Sequence, residues 1–378
     1  MKRVLSWLSL KKQTAEGRRQ PAKKWHRPDR WMLAAVAVLS IFGILMVYDS
    51  SVAIAIRDFG NQYYFVVEQA KWLALGFIAC FVLSRIDYHV WRPLALPFLV
   101  GTLGLLMMVF IPGIGVHALG ARRWINMGVF ILQPAELTKL VLIMYLAAWF
   151  SYKEVKRFAA FALLVVAVVG LVVVEPDLGT SIILSGIAVL MYFFSGARMY
   201  QFLLLIPVLF LGVLGLAVFS PYRLRRLTTF LNPESDPLGA SYQIRQVILA
   251  LGSGGWFGVG IGKSRQKYEY LPEANTDSIF AIIGEELGFV GATVIILLFL
   301  FLVWRGFRIA KRAPDTFGRF LALGITSWIA IQTVLNLASM VALVPLTGVP
   351  LPLVSYGGSS LIILLSGIGI LANISRQS

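Results

Sequence analysis

Three carboxylates set the chemical problem in this chain. The stretch YLPEANTDSIFAIIGEELGFVG, residues 270–291, places Asp277 at the threshold of an apolar helix that carries Glu285 and Glu286. Charged groups at membrane depth are costly, face a protein interior or a watery cavity, and mark functional sites. A carboxylate there can serve as a general base toward a hydroxyl nucleophile or as a ligand to a divalent cation. Asp277, with Thr276, also stands where an N-cap belongs, and accepting backbone N–H bonds would make it a weaker base. Glu285 lies about 80° round the helix from Asp277 and roughly 12 Å deeper, whereas Glu286 lies nearly opposite it. For both glutamates the alternative is a structural ion pair with a cation on a neighbouring element.

Cations are concentrated just before these acids. Arg223, Arg225 and Arg226 fall together in SPYRLRRL, and glycines at 252, 254, 255, 258, 260 and 262 precede Lys263, Arg265 and Lys267. Glycine lets a backbone take positive φ and approach a ligand. The cations suit a phosphate, whether of a substrate or of lipid headgroups. An ATP-binding P-loop is excluded, because no strand precedes the glycines and no Gly-Lys-Ser/Thr ending follows them.

Other polar residues interrupt apolar runs. In GARRWINMGVFILQPAELTKL, residues 120–140, Glu136 and Lys139 stand three apart on one helix, a spacing for an ion pair or for a joint role toward substrate. EPDLGTS, residues 175–181, is a short outer turn whose Glu175 and Asp177 suit either a divalent ion or helix capping. The segment 343–360 has Pro345, Pro350 and Pro352, Gly348, Gly357 and Gly358, and no charge, which fits a non-helical piece packed against protein at membrane depth.

The elements that must position these residues follow from composition. The chain has 378 residues, 58% hydrophobic and 14% charged, with a mean hydropathy of +0.79, and is a membrane protein. Apolar runs predict an all-α polytopic fold of about ten transmembrane helices near 31–48, 70–85, 94–111, 134–150, 158–174, 178–194, 201–219, 278–303, 319–342 and 355–375. A long outer loop, 220–277, separates the seventh from the eighth; its aromatic residues predict that it lies folded over the bundle. With both termini in the cytoplasm, the inner segments hold 22 Lys and Arg and the outer ones 11, which sets the orientation. Residues 1–30 read as a basic, disordered cytoplasmic tail suited to anionic lipid, and 31–378 as a single transmembrane domain. The ten Lys and Arg of that tail account for much of the +16 net charge, so nucleic acid is not an expected partner. The lone Cys80 excludes a disulfide within the chain, and His26, His89 and His117 are too scattered for a metal site.

GARRWINMGVFILQPAELTKL, EPDLGTS, NPESDPLGASYQ, LPEANTDSIFAIIGEELGFVG and GVPLPLVSYGGSS, in this order, resemble the motifs of the SEDS family of bacterial cell-wall polymerases, the FtsW, RodA and SpoVE proteins. The resemblance runs from about residue 30 to the end, with 270–288 and the basic tail closer to the division branch, FtsW. It implies peptidoglycan glycosyltransferase activity on lipid II, with Asp277 as the essential acid. It also implies substrate contacts from Trp124, Arg223, Arg225, Arg226, Tyr242, Gln243, Lys263, Arg265, Lys267, Pro272, Glu273, Asn275, Thr276 and Ser355. Glu136, Lys139, Glu175, Asp177, Glu285 and Glu286 are then supporting residues. The family reads His-Thr-Asp where this chain has Asn275-Thr276-Asp277. Asparagine can still hydrogen-bond at that position.

The implied partners are a class B penicillin-binding protein and other divisome membrane proteins, at the division septum of the bacterial cytoplasmic membrane. The resemblance fixes no cofactor; the candidate is a divalent cation, Mg or Mn, with Asp277 as base or as its ligand. A β-1,4 bond made from an α-linked pyrophosphate donor inverts the anomeric centre in one displacement, which needs a base but no strong acid. Two other readings fit the membrane architecture: a flippase for a lipid-linked precursor, and a non-catalytic scaffold. The absence of an inverted repeat and the weight of polar residues on one face count against the flippase.

Overall fold

The computed structural model describes residues 26–118, 121–126, 128, 131–152, 158–198, 200–204, 207, 230 and 241–378. The basic tail before residue 26, most of the seventh expected span and the Arg223, Arg225 and Arg226 cluster lie outside the described residues.

The chain is a helical membrane bundle. Six helices are long and apolar enough to cross a bilayer: α1 (Arg30–Phe59), α2 (Tyr64–Arg85), α3 (Trp91–Met108, preceded by a 3-10 turn), α8 (Ile279–Arg312), α9 (Thr316–Met340) and α10 (Gly358–Gln377). Three more, α4 (Pro134–Phe150), α5 (Phe158–Val174) and α6 (Leu178–Phe194), have 17 residues each. At 1.5 Å per residue that is about 25 Å, close to the lower limit for a span. Nine of the ten expected runs are thus helices among the described residues.

Two elements differ from the sequence expectation. The outer segment between α3 and α4 forms a three-stranded antiparallel sheet, β1 (Gly115–Ala118), β2 (Ala121–Asn126) and β3 (Ile131–Leu132), in the order β1-β2-β3. The long outer segment contains a further helix, α7 (Tyr242–Gly254), which packs its Ile244, Val247 and Ala250 face against α8. Both pieces are too short and too polar to register as spans.

Helix boundaries follow local chemistry. Asp29 caps α1 through a 2.9 Å bond from Met32 N, Asp177 caps α6 through Thr180 N at 3.0 Å, and Asp315 caps α9 through Gly318 N at 2.6 Å. On the inner side Asp29 also pairs with Arg305, and His89 lies between Asp87 (2.7 Å) and Asp315 (2.5 Å). These contacts tie the cytoplasmic end of α1 to that of α8, and the turn before α3 to the start of α9. The core is built from α4, α6, α9 and α10, whose described residues are buried over most of their surface.

Candidate active site

α8 is not one continuous helix. Gly288 has φ 67 and ψ −167, so the bonds that Phe289 N and Val290 N would normally make to Glu285 O and Glu286 O are absent. The glycine-rich segment fills the gap. Val259 N donates to Glu285 O and Gly260 N to Glu286 O, both at 3.0 Å, while Phe289 N and Val290 N donate to Gly255 O (2.9 Å) and Trp256 O (3.1 Å). Two helical bonds are thereby exchanged for four to the loop, which satisfies the backbone at the break.

This interlock explains the glycines. A Cβ on Gly258 would lie 2.0 Å from Glu286 O, and one on Gly288 2.3 Å from Gly258 N; both residues have positive φ. The segment therefore approaches protein backbone where the sequence suggested a ligand.

The two glutamates complete the interlock. Gly262 N and Ser264 N donate to Glu286 at 3.0 and 2.9 Å, and Arg265 N and the Ser264 hydroxyl donate to Glu285. Lys267 Nζ reaches Glu286 Oε1 at 3.1 Å and Asp49 Oδ1, on α1, at 2.7 Å. Lys267 is buried and held by two carboxylates, so it is placed as the counter-charge of Asp49 and Glu286. Lys263 and Arg265 are exposed.

Asp277 lies at the end of this segment and is 7% exposed. α8 begins at Ile279 with Ser278 at the N-cap position, and the Ser278 side chain makes no capping bond. The capping position expected for Thr276 and Asp277 is thus shifted by one residue, because the chain turns tightly over Glu273, whose carbonyl accepts from Thr276 N (3.2 Å) and Ser278 N (3.1 Å). Gln243 Nε2 donates to Ser278 Oγ at 3.0 Å, which ties α7 to the same turn. Pro272 and Glu273 are exposed, Thr276 and Tyr242 half-buried, and Asn275 buried.

The stretch 275–277 is pinned from two sides. Tyr356 N donates to Asn275 O at 2.9 Å. Asn336 Nδ2, on α9, donates to both Asp277 O and Val349 O at 2.8 Å. The uncharged last outer segment is itself fixed: Gln332 Nε2 donates to Pro350 O (2.9 Å), Gln69 Nε2 to Ser355 O (3.2 Å), and Leu351 N to Ser355 Oγ (2.8 Å). Buried amide side chains thus satisfy the carbonyls of a non-helical segment, as its depth requires.

Gln332 connects this segment to the interior. Its Oε1 accepts from Trp328 Nε1 (2.7 Å) and Lys139 Nζ (3.0 Å), and Lys139 pairs with Glu136 Oε1 at 2.8 Å. The Glu136–Lys139 spacing therefore forms a buried ion pair, and Glu136 Oε2 is left without a hydrogen-bond partner. A cavity of ≈ 10 Å³ lies between Gln332, Pro350, Leu351, Ser355 and Leu361, with room for about one water. Asp277 is not part of its lining.

A second acidic cluster lies at the turn before α6. Asp177 accepts from Thr180 N, Thr180 Oγ1 (2.9 Å) and Gln133 Nε2 (3.0 Å), so capping uses both of its oxygens. Arg123, on β2, donates to Glu175 O (3.2 Å) and Pro176 O (2.5 Å). Both Glu175 carboxyl oxygens are buried without a partner, and burial, with Asp177 nearby, pushes the Glu175 carboxyl up to about 8. Trp124 sits half-buried on the same strand.

Asn336, Gln332, Gln69 and Asp49 were missed by reading motifs. Gln332 and Asn336 do carry a signal, since they are amides four residues apart on one face of an apolar helix. Gln69 and Asp49 are single polar residues and carry none.

Comparison with known proteins places these features in a group. The FtsW/RodA/SpoVE family model, described as "Cell cycle protein", matches residues 29–378. The chain belongs to this family. Among FtsW/RodA/SpoVE relatives it is 43% identical to stage V sporulation protein E of Bacillus subtilis, over 93% of this chain and 98% of the relative. It is 45% identical to the probable peptidoglycan glycosyltransferase FtsW of Trichlorobacter lovleyi, over 92% and 93% respectively. Among solved structures it resembles a chain of a peptidoglycan synthase complex, studied for its coordination of polymerization and crosslinking (TM-score 0.76, 29% identity, 93% of this chain and 98% of that one). It also resembles the rod shape determining protein RodA of Thermus thermophilus (TM-score 0.68, 29% identity, 92% and 97%).

Proposed function

We propose that this chain is an inverting peptidoglycan glycosyltransferase that polymerises lipid II into β-1,4 glycan, with Asp277 as the general base. The observation that carries the assignment is the two-sided pinning of residues 275–277 by Tyr356 N and Asn336. A carboxylate on a backbone fixed in this way is held in register with an incoming hydroxyl, and such pre-organisation is what a general base requires. The names of its FtsW relatives and the synthase complex that it resembles support the same reaction.

In this reading Asp277 accepts the proton of the acceptor 4-hydroxyl as that oxygen attacks the anomeric carbon. The carbon–oxygen bond to pyrophosphate breaks on the opposite face, and undecaprenyl pyrophosphate leaves. The developing negative charge needs fixed cations. Lys267 is already neutralised by Asp49 and Glu286, which leaves Arg223, Arg225, Arg226, Lys263 and Arg265 of the sequence candidates. Among the described residues no group of three or more His, Cys, Asp or Glu is placed to hold a metal ion.

The synthase complex supports a class B penicillin-binding protein as partner, and the FtsW relatives support action at the division septum with other divisome proteins. Purified chain in proteoliposomes with labelled lipid II tests the reading. Glycan strands are the expected product; lipid II scrambling without glycan would favour a flippase, and neither would favour a scaffold.

A further inference from the structure

The break in α8 also shapes the outer surface of the protein. Residues 279–286 are buried throughout, because α7 and the glycine-rich loop wrap them. The lipid-facing stripe of α8 therefore starts only at Phe289 and continues through Val294, Leu297 and Leu300 to Trp304, all exposed. Trp304 lies against the guanidinium groups of Arg305 and Arg308, each 5.5 Å from its ring, which marks the inner interface. From Phe289 to Trp304 the stripe is about 24 Å long at 1.5 Å per residue, against about 30 Å of hydrocarbon. About 6 Å of the outer leaflet is left uncovered by this helix.

The loop supplies what is missing. Trp256 packs edge-on against Phe289 with ring centroids 5.3 Å apart, so the two apolar surfaces are continuous. Next to it Phe257 is 82% and Ile261 75% exposed, and Trp256 itself 70%. A run of apolar side chains turned outward, on a loop whose backbone is satisfied by α8 and by its glutamates, is suited to hydrocarbon. Lys263 and Arg265 follow, both exposed and without an ion-pair partner among the described residues, and Tyr268 and Tyr270 are exposed beyond them. An apolar tip followed by cations matches the passage from acyl chains to phosphates, and tyrosines sit at the same headgroup level.

We propose that residues 256–265 are an outer-leaflet anchor: Trp256, Phe257 and Ile261 sit among phospholipid acyl chains, and Lys263 and Arg265 bind the phosphates of anionic phospholipid. The occupant is bulk bilayer lipid, because the patch continues the lipid-facing stripe of a spanning helix. The anchor fixes the depth of the segment that ends in Asp277. It does not depend on the reaction proposed above, and its test does not read activity.

The test uses full-length protein in vesicles of phosphatidylcholine and phosphatidylglycerol, with an environment-sensitive fluorophore on Phe257→Cys. Glu273→Cys, exposed and polar on the same segment, is the reference, and the unaltered chain, with Cys80 buried, is the labelling blank. The expected result is a blue-shifted probe at 257 that brominated acyl chains quench and acrylamide does not, with the reverse at 273. Equal acrylamide quenching at the two positions overturns the anchor and means that a protein partner or nothing covers the patch. Protection at 257 that appears only after undecaprenyl pyrophosphate is added overturns bulk lipid in favour of substrate. Raising the phosphatidylglycerol fraction should enlarge the blue shift in the parent and not with Lys263→Gln and Arg265→Gln together; an unchanged response removes the cations from the proposal.

Discussion

Asn336 holds Asp277 by its backbone: one buried amide nitrogen near the outer end of α9 donates at 2.8 Å to the Asp277 carbonyl and at 2.8 Å to that of Val349. The acid at the outer rim is thereby tied to the last outer segment through α9. Asn336→Ala leaves two buried carbonyls without this donor, at about 1–3 kcal/mol each. Glycan synthesis by the purified variant should fall steeply with lipid II binding largely kept. Asn336→Gln, which retains the donor on a longer side chain, should recover part of the rate.

The glycines at the interlock should be intolerant in a way that depends on position. Gly258→Ala brings a Cβ to 2.0 Å from Glu286 O at a residue with φ +78, and should destabilise by about 2–4 kcal/mol. Gly252, in α7, has open space where an added methyl group would stand, with nothing within 4 Å, so Gly252→Ala should stabilise slightly, by about 0.5–1 kcal/mol. Thermal unfolding in detergent with both variants checks the contrast.

How much of this was legible in the sequence depends on the kind of constraint. Apolar length is imposed by the bilayer, so the helices α1 to α6 and α8 to α10 could be read from runs of residues. The break at Gly288 could not, because residues 278–303 form one apolar run and the break depends on a loop far along the chain supplying replacement bonds. For the same reason the glycines of 252–262 looked like a phosphate cradle: the sequence shows free amides but not that Glu285, Glu286 and two carbonyls take them. Glu136 with Lys139, and Asp177 with Thr180, were legible because both partners lie within one turn of helix. Asn336 and Gln69 act across the bundle, and no local spacing announces them.

Lys267 should behave as a structural cation. Lys267→Met leaves Asp49 and Glu286 buried without their counter-charge, at about 3–5 kcal/mol. The variant should lose thermal stability, and adding Asp49→Asn should restore part of it. A stable but inactive Lys267→Met protein would instead assign the lysine to substrate.

Glu175 makes stability depend on pH. Its carboxyl is pushed up to about 8 from a usual value of 4.5, so the folded state favours the protonated form. The stability that this group contributes is complete below about 4.5 and declines as pH rises through about 8. Glu175→Gln should therefore raise the melting temperature at pH 8 and leave it nearly unchanged at pH 5, as measured by thermal unfolding at the two values.

The most direct test of the central claim is Asp277→Asn, assayed in one preparation for both lipid II binding and glycan formation. The account predicts that binding persists while polymerisation falls by about 10²–10⁴-fold, the usual contribution of a general base. Turnover equal to that of the parent chain would contradict it.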